Sequence, residues 1–173
     1  GWDKSFTKIT GNLTVTAQYT QNAAPAEFFT FASGADTTYV SIDETNGYLV
    51  FKAGAKTAAE VIALFADTNV SITKANGTTA VTGTTMVGTT CIITSTIDGV
   101  SKSLTVVVIG DVNGDGVIAA VDALMTTAYV KSGAALTTDV AKYAANAIRN
   151  DSKIMANDAI IINAFVKGKR TYF

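Results

Sequence analysis

The chain has 173 residues, 48% of them hydrophobic, a formal net charge of −1 and no histidine. That length allows one or two small domains with true cores, and the near-neutral charge gives no field that would draw in nucleic acid or a membrane surface. The absence of histidine removes the commonest catalytic base and metal ligand, and no apolar run is long enough to cross a bilayer.

Residues 1–20 end in an alternation, Leu13-Thr-Val15-Thr-Ala17-Gln-Tyr19, that reads as a strand. With Trp2, Phe6 and Ile9 ahead of it, this stretch resembles the tail of the internalin-type Listeria–Bacteroides repeat, a small β module of bacterial cell-surface proteins. Gly1 opens in mid-pattern, so further sequence is expected ahead of it. Residues 21–26 carry the only proline of the chain, Pro25, and read as a linker.

Residues 27–109 read as one β-rich domain. Strands are predicted at Glu27–Phe31, Thr38–Ile42, Tyr48–Phe51, Asn69–Thr73, Met86–Val87 (extending towards Ile93) and Val100–Ile109, with turns at Asn46-Gly47, Asn76-Gly77 and Asp98-Gly99. Thr57 stands three residues ahead of Glu60, a capping-box spacing. Val61, Leu64 and Phe65 then share one helical face. Roughly seven short strands and one helix predict a β-sandwich-like (Ig-like) module. Cys91, the only cysteine, lies in an apolar run and reads as a small buried hydrophobe.

Catalysis has little to stand on in this stretch. There is no nucleophile elbow and no phosphate loop. The neighbouring Asp43 and Glu44 sit in a turn, where acidic residues are simply solvated, so the chain is read as not an enzyme. A carbohydrate platform would need planar aromatics, and Tyr39, Tyr48 and Phe51 are the candidates near one another in sequence. At strand spacing such residues more often belong to a core.

Asp111-Val-Asn113-Gly-Asp115-Gly116-Val117 through Asp122 carries side-chain oxygens at positions 1, 3, 5 and 12 of a twelve-residue loop, with glycine at position 6. That spacing wraps oxygen ligands around a hard divalent cation, with the Val117 carbonyl at position 7. The chain then matches itself at a shift of 151 − 115 = 36 positions: Asp115, Ile118, Ala120, Asp122 and Lys131 recur as Asp151, Ile154, Ala156, Asp158 and Lys167. Each unit is a loop followed by one helix. A strand, Val106–Ile109, leads into the first loop where an ordinary EF-hand has a helix.

This pattern over residues 110–173 resembles a dockerin, the non-catalytic module that plugs secreted polysaccharide-degrading enzymes and scaffoldins into cohesins. The resemblance implies a small all-α module with two loop–helix repeats, calcium and a cohesin partner. It also implies a secreted or cell-surface setting, in a cellulosome- or amylosome-type complex of an anaerobic bacterium. By its position, the 27–109 domain resembles the X modules that precede some dockerins and brace them. The expected fold is therefore multidomain, a β-sandwich-like module followed by an all-α one.

The second repeat departs from the pattern. Ala147 and Arg149 occupy positions 1 and 3, and Ser152 replaces the glycine. Asp151, the Lys153 carbonyl and Asp158 remain. Affinity in such loops follows ligand charge and number. One calcium site is thus expected at Asp111, Asn113, Asp115, Val117 and Asp122, and the second site is expected to be weak or empty, with Arg149 free to pair with Asp151 or Asp158.

Helical geometry selects a docking face. In the first repeat it comprises Ala120, Val121, Leu124, Thr127, Ala128 and Lys131, and in the second Ala156, Asn157, Ile160, Asn163, Ala164 and Lys167. Met125, Tyr129, Ile161 and Phe165 are expected between the helices. Such an apolar set either binds a partner or packs on the intervening helix, predicted over Thr137–Ile148. The tail ends in Tyr172 and Phe173, and the resemblance implies that it clasps back near the first loop. The alternative function is an EF-hand-type calcium-binding surface protein with a carbohydrate-binding β module. A calcium sensor, the other rival, is disfavoured by the missing leading helix and the degraded second loop.

Overall fold

The computed structural model describes residues 10–12, 14, 16, 27–134, 136–148 and 153–173. The 21–26 linker lies outside them, as does most of the 1–20 repeat fragment.

Seven strands are found among the described residues: β1 (Val40–Asp43), β2 (Tyr48–Phe51), β3 (Lys56–Thr57), β4 (Val70–Thr73), β5 (Met86–Val87), β6 (Ile92–Ile97) and β7 (Val100–Val108). The helices are α1 (Ala58–Ile62), α2 (Ala120–Ser132), α3 (Asp139–Ala145) and α4 (Ala156–Val166). The main sheet runs β1-β2-β7-β6-β4, and β3 pairs with β5 in a separate ribbon. Asp98 (φ 51) and Gly99 (φ 78) close the β6–β7 hairpin between paired Ile97 and Val100. Two positive φ values are what a two-residue turn matched to strand twist requires. At α1, Glu60 Oε2 accepts from the Thr57 amide at 2.8 Å, and Thr57 Oγ1 accepts from the Glu60 amide at 3.3 Å. The capping box is thereby complete.

The expected β-sandwich followed by an all-α module is corrected: the chain forms a single mixed α/β domain built on the five-stranded sheet. The reason lies in the central strands. β2 and β7 run parallel, with Leu49 opposite Val106 and Phe51 opposite Val108. Leu49, Phe51, Val106 and Val108 enter one core, shared with Val61, Phe65, Ile72, Val87 and Ile93. Val50, Val107 and the following Ile109 enter a second core with Ala123, Ala144, Ala145 and Ile162 of the helices. A strand buried on both faces reads as a continuous apolar run, whereas alternation with polar residues marks a face open to water. The helices therefore cover the second face of the sheet over β2 and β7, where a sandwich would place its second sheet.

Smaller differences follow from local chemistry. Phe28 and Phe29 form a turn, with Phe29 at φ 59, where a strand had been expected. Phe29 and Phe31 pack on Phe65, at ring centroid distances of 5.5 and 5.3 Å. The tail clasps the sheet side of the molecule. The Phe173 amide donates to the Lys52 carbonyl at 2.7 Å, Phe173 stacks on Phe165 at 4.8 Å, and Tyr172 stacks on Tyr39 at 4.9 Å. Helix α3, capped by Thr138, is tied to the β1–β2 turn by the Tyr143 hydroxyl, which donates to Asp43 Oδ2 at 2.8 Å.

The shared core makes a prediction. Ile109→Ala, at the helix-covered face, and Leu49→Ala, at the opposite face, should each cost about 2–5 kcal/mol. Both should shift one common urea transition, followed by far-UV and near-UV circular dichroism. Separate transitions for helices and sheet would contradict a single domain.

Candidate functional site

The loop between β7 and α2 is held by its own carboxylates. Asp111 is fully buried. Its Oδ1 accepts from the Gly114 amide at 2.9 Å, and its Oδ2 accepts from the Gly116 amide at 3.2 Å and from the Thr89 amide at 2.8 Å. Asp122, also fully buried, closes the loop from the helix side. Its Oδ1 takes the Val112 and Asn113 amides at 2.8 and 3.1 Å, and its Oδ2 takes the Ala119 amide at 2.8 Å. Asp115 and Asn113 are exposed and bind each other, with Asn113 Nδ2 donating to Asp115 Oδ2 at 2.8 Å. Gly116 turns the chain at φ 85, a backbone state that side chains with a Cβ rarely adopt.

Two buried aspartates in one loop are unusual without a cation. The ion pairs among the described residues, Lys102–Glu44 and Lys142–Asp139, lie elsewhere. Burial pushes the Asp111 carboxyl up to about 6; the Asp122 charge adds to the rise, and the amides of Thr89, Gly116 and Gly114 oppose it.

As donors, three carboxylates, the Asn113 amide oxygen and the Val117 carbonyl suit a hard divalent ion, so the residues fit calcium by chemistry. Each carboxylate is turned to backbone amides, and no three acidic, histidine or cysteine side chains among the described residues gather into one group. Each carboxylate has about four acceptor positions. Asp111 and Asp122, with three amides each, retain capacity for a further partner.

The second loop repeats the closure. Asp158 Oδ1 accepts from the Ile148 amide and its Oδ2 from the Met155 amide, both at 2.7 Å. Ile148 and Met155 are positions 2 and 9 of that loop, as Val112 and Ala119 are of the first. The 36-residue repeat therefore extends from letters to hydrogen bonds. Asp151, Arg149 and Ser152 lie outside the described residues, and Lys153 is exposed.

On the helices, Ala123, Thr126, Ala159 and Ile162 point inward, while Met125, Tyr129, Ile161 and Phe165 are only half-buried. Between α2 and α4 lies a groove of about 500 Å³, lined in part by Ala123 and Ala159. Of the twelve sequence-selected residues, Ala120, Leu124, Thr127, Lys131, Ala156, Ile160 and Asn163 line it. Val121, Ala128, Asn157, Ala164 and Lys167 are not among its lining residues. Leu124 is 68% exposed and Ile160 62%, the two most exposed large hydrophobic side chains among the described residues. Neither is covered by α3, so packing on the intervening helix does not account for them.

Four contributors escaped sequence reasoning: Ala123, Val130 and Ala159 at the groove, and Thr89, whose amide reaches Asp111. The candidate sugar platform is dispersed. Phe51 is buried, Tyr48 packs edge-on against Tyr143, and Tyr39 stacks on Tyr172. Asp43 and Glu44 are likewise occupied, the first by Asn46 and Tyr143, which hold its carboxyl below the usual range, and the second by Lys102. Burial pushes the Cys91 thiol up, away from reactivity. No helix among the described residues is long and apolar enough to cross a membrane. Comparison with known protein families, curated proteins and solved structures found no match.

The raised Asp111 carboxyl sets a pH dependence for protein kept free of divalent metal. Its folded value, about 6, lies above the ordinary 3.8. Between these values the folded state holds more protons than the unfolded one, so stability falls as pH rises through the window, by about 3 kcal/mol at most. Urea titrations in chelator from about pH 4 to pH 7 should show this slope, and Asp111→Asn should flatten it. A level profile for the unsubstituted protein would count against an ionised carboxylate buried at this position.

Proposed function

We propose that this protein is a calcium-dependent, non-catalytic adaptor. Its paired α2–α4 face docks a cohesin and so anchors a secreted polysaccharide-degrading enzyme or scaffoldin in a cellulosome- or amylosome-type complex. The sheet serves as a bracing platform for the helices.

The observation that carries this reading is the exposure of Leu124 and Ile160. They occupy the same position in the two repeats and flank one apolar groove. Exposed apolar surface of this kind ordinarily marks a partner site. Small residues, Ala120 and Ala156 on the rim with Ala123 and Ala159 beneath, leave room for an incoming side chain. Lys131 and Asn163 supply a polar edge. Burying each large side chain contributes about 1.5–3 kcal/mol, and a few central residues of an interface commonly carry most of its affinity.

The two halves of the face differ. Val121 and Thr127 of the first repeat correspond to Asn157 and Asn163 of the second. Turning the partner by half a turn would therefore place it against different chemistry, and one orientation is favoured. In this reading calcium is held by Asp111, Asn113, Asp115, the Val117 carbonyl and Asp122. When bound it neutralises the loop's carboxylates. The hydrogen bonds that the Asp122 carboxylate accepts from the amides of Val112, Asn113 and Ala119 fix the start of α2, and with it the direction in which Leu124 points.

The test is a panel of cohesins probed with the full chain, with and without calcium. Binding to at least one cohesin is expected, with loss in chelator. Leu124→Asp and Ile160→Asp should each weaken it about tenfold or more, and unequally. Absence of binding across the panel in calcium would overturn the adaptor reading, and equal small losses would exclude a single docking mode.

A further inference from the structure

The segment joining β5 to β6, Gly88-Thr89-Thr90, lies directly against the first loop. A Cβ added to Gly88 would sit 2.5 Å from the Gly114 carbonyl oxygen and 2.6 Å from the Gly116 amide nitrogen. A Cβ on Gly114 would sit 2.6 Å from the Thr89 carbonyl oxygen. These are backbone-to-backbone approaches that only glycine permits, because main-chain atoms on the other side cannot swing aside. Thr89 is fully buried. Its hydroxyl donates to the Val108 carbonyl at 3.2 Å and accepts from the Val108 amide at 3.0 Å, which fastens the segment to β7. Thr90 adopts φ 76, and its amide donates to the Val106 carbonyl at 2.9 Å. With the segment fixed in this way, the Thr89 amide is aimed at Asp111 Oδ2.

We propose that Gly88 and Thr89, contributed by the sheet, are positioning residues of the metal site, and that they set the calcium affinity of the first loop. This rests on the calcium reading of that loop. Asp111 stands at its first position, where a small rotation of the carboxylate moves an oxygen towards or away from the ion. The Gly114 and Gly116 amides alone would hold the carboxylate relative to the loop. The Thr89 amide holds it relative to the sheet, and Gly88 lets the loop come close enough for that bond to form. Partners that orient a ligand commonly matter about 10–100-fold in metal affinity. The sheet thus contributes to the site directly, in addition to supporting the helices.

The experiment is calorimetric titration of the full chain with calcium chloride for the unsubstituted protein, Gly88→Ala and Thr84→Ala, an exposed residue in the turn ahead of β5. A parallel measurement follows exchange of the Thr89 amide hydrogen in the unsubstituted protein, with and without calcium. The expected result is calcium binding by the unsubstituted protein, an affinity about 10–100-fold lower in Gly88→Ala, and no change in Thr84→Ala. Exchange at Thr89 should slow further when calcium is added. If the unsubstituted protein binds and Gly88→Ala binds equally well, this proposal fails while the calcium reading stands. If the unsubstituted protein releases no heat and shows no calcium effect on exchange at any loop amide, the calcium reading itself fails. Should Gly88→Ala not fold, the exchange measurement decides alone: a Thr89 amide indifferent to calcium, in a loop that responds to it, overturns the proposal.

Discussion

The end of strand β7, Val106–Val108, carries apolar side chains on both faces, and neither face can be left to water there. Val106 and Val108 need the cover that α1, the β3–β5 ribbon and the aromatic turn provide; Val107 and the following Ile109 need the helices. The parallel pairing with β2 doubles this demand, because Leu49 and Phe51 point with Val106 and Val108, and Val50 with Val107. Fully burying a side chain of this size contributes about 1.5–3 kcal/mol. Pulling α2, α3 and α4 away from the sheet would expose several at once. The helices are short, and helices of such length are marginal in water on their own. Sheet and helices therefore complete one another, and the order of the loop–helix repeats derives from the strand that enters them.

The same strand delivers its most demanding residue one step further on. After Ile109 the chain turns at Gly110, where an added Cβ would sit 2.7 Å from the Phe173 ring, and Asp111 is carried into the interior. A buried carboxylate is tolerable only where hydrogen bonds replace its water. The replacements come from two directions, Gly114 and Gly116 within the loop and Thr89 from the sheet. Asp122 and Asp158 solve the corresponding problem at the helix starts by satisfying backbone amides that have no partner inside the helix. These carboxylates thus hold the backbone of both loops in place. On the proposed reading, calcium would relieve the remaining repulsion between those of the first.

Much of this was legible in the letters, and what was missed has identifiable causes. Asp98-Gly99 demanded a tight reversal, and Thr57 with Glu60 marked a helix start; both depend on neighbours in sequence. The loop spacing and the repeat are local as well, and Asp122 and Asp158 close their loops in the same way. Strand partners are not local. A period of two locates a strand without saying which strand lies beside it. The parallel β2–β7 pair, and with it the whole layer arrangement, was invisible to turn-by-turn reading. Yet Val106-Val-Val-Ile109 and Tyr48-Leu-Val-Phe51 are continuous apolar runs, which signal two-sided burial. Taking them as sandwich strands missed that signal. Gly88 offered a second one, since glycine between strand-like residues often marks a close backbone approach. What approaches it is contributed by residues 114–116, too far along the chain for any local pattern to disclose.

Rigidity is what this architecture gives to the α2–α4 face. Ala123, Thr126, Ala159 and Ile162 are buried and fix the rotation of both helices. Leu124 and Ile160, one residue along from Ala123 and Ala159, are thereby committed to the outside. A face held in place loses little freedom when a partner covers it, and less lost freedom means more of the contact energy survives as affinity. Had the helices formed a free-standing pair, their relative rotation would depend on the loops alone, and apolar side chains could turn inward to escape water. Because Val107 and Ile109 already occupy the interior with Ile162, that escape is closed. The exposure of Leu124 and Ile160 is therefore a consequence of the sheet, and the docking surface proposed for this face would be as well defined as the strand beneath it.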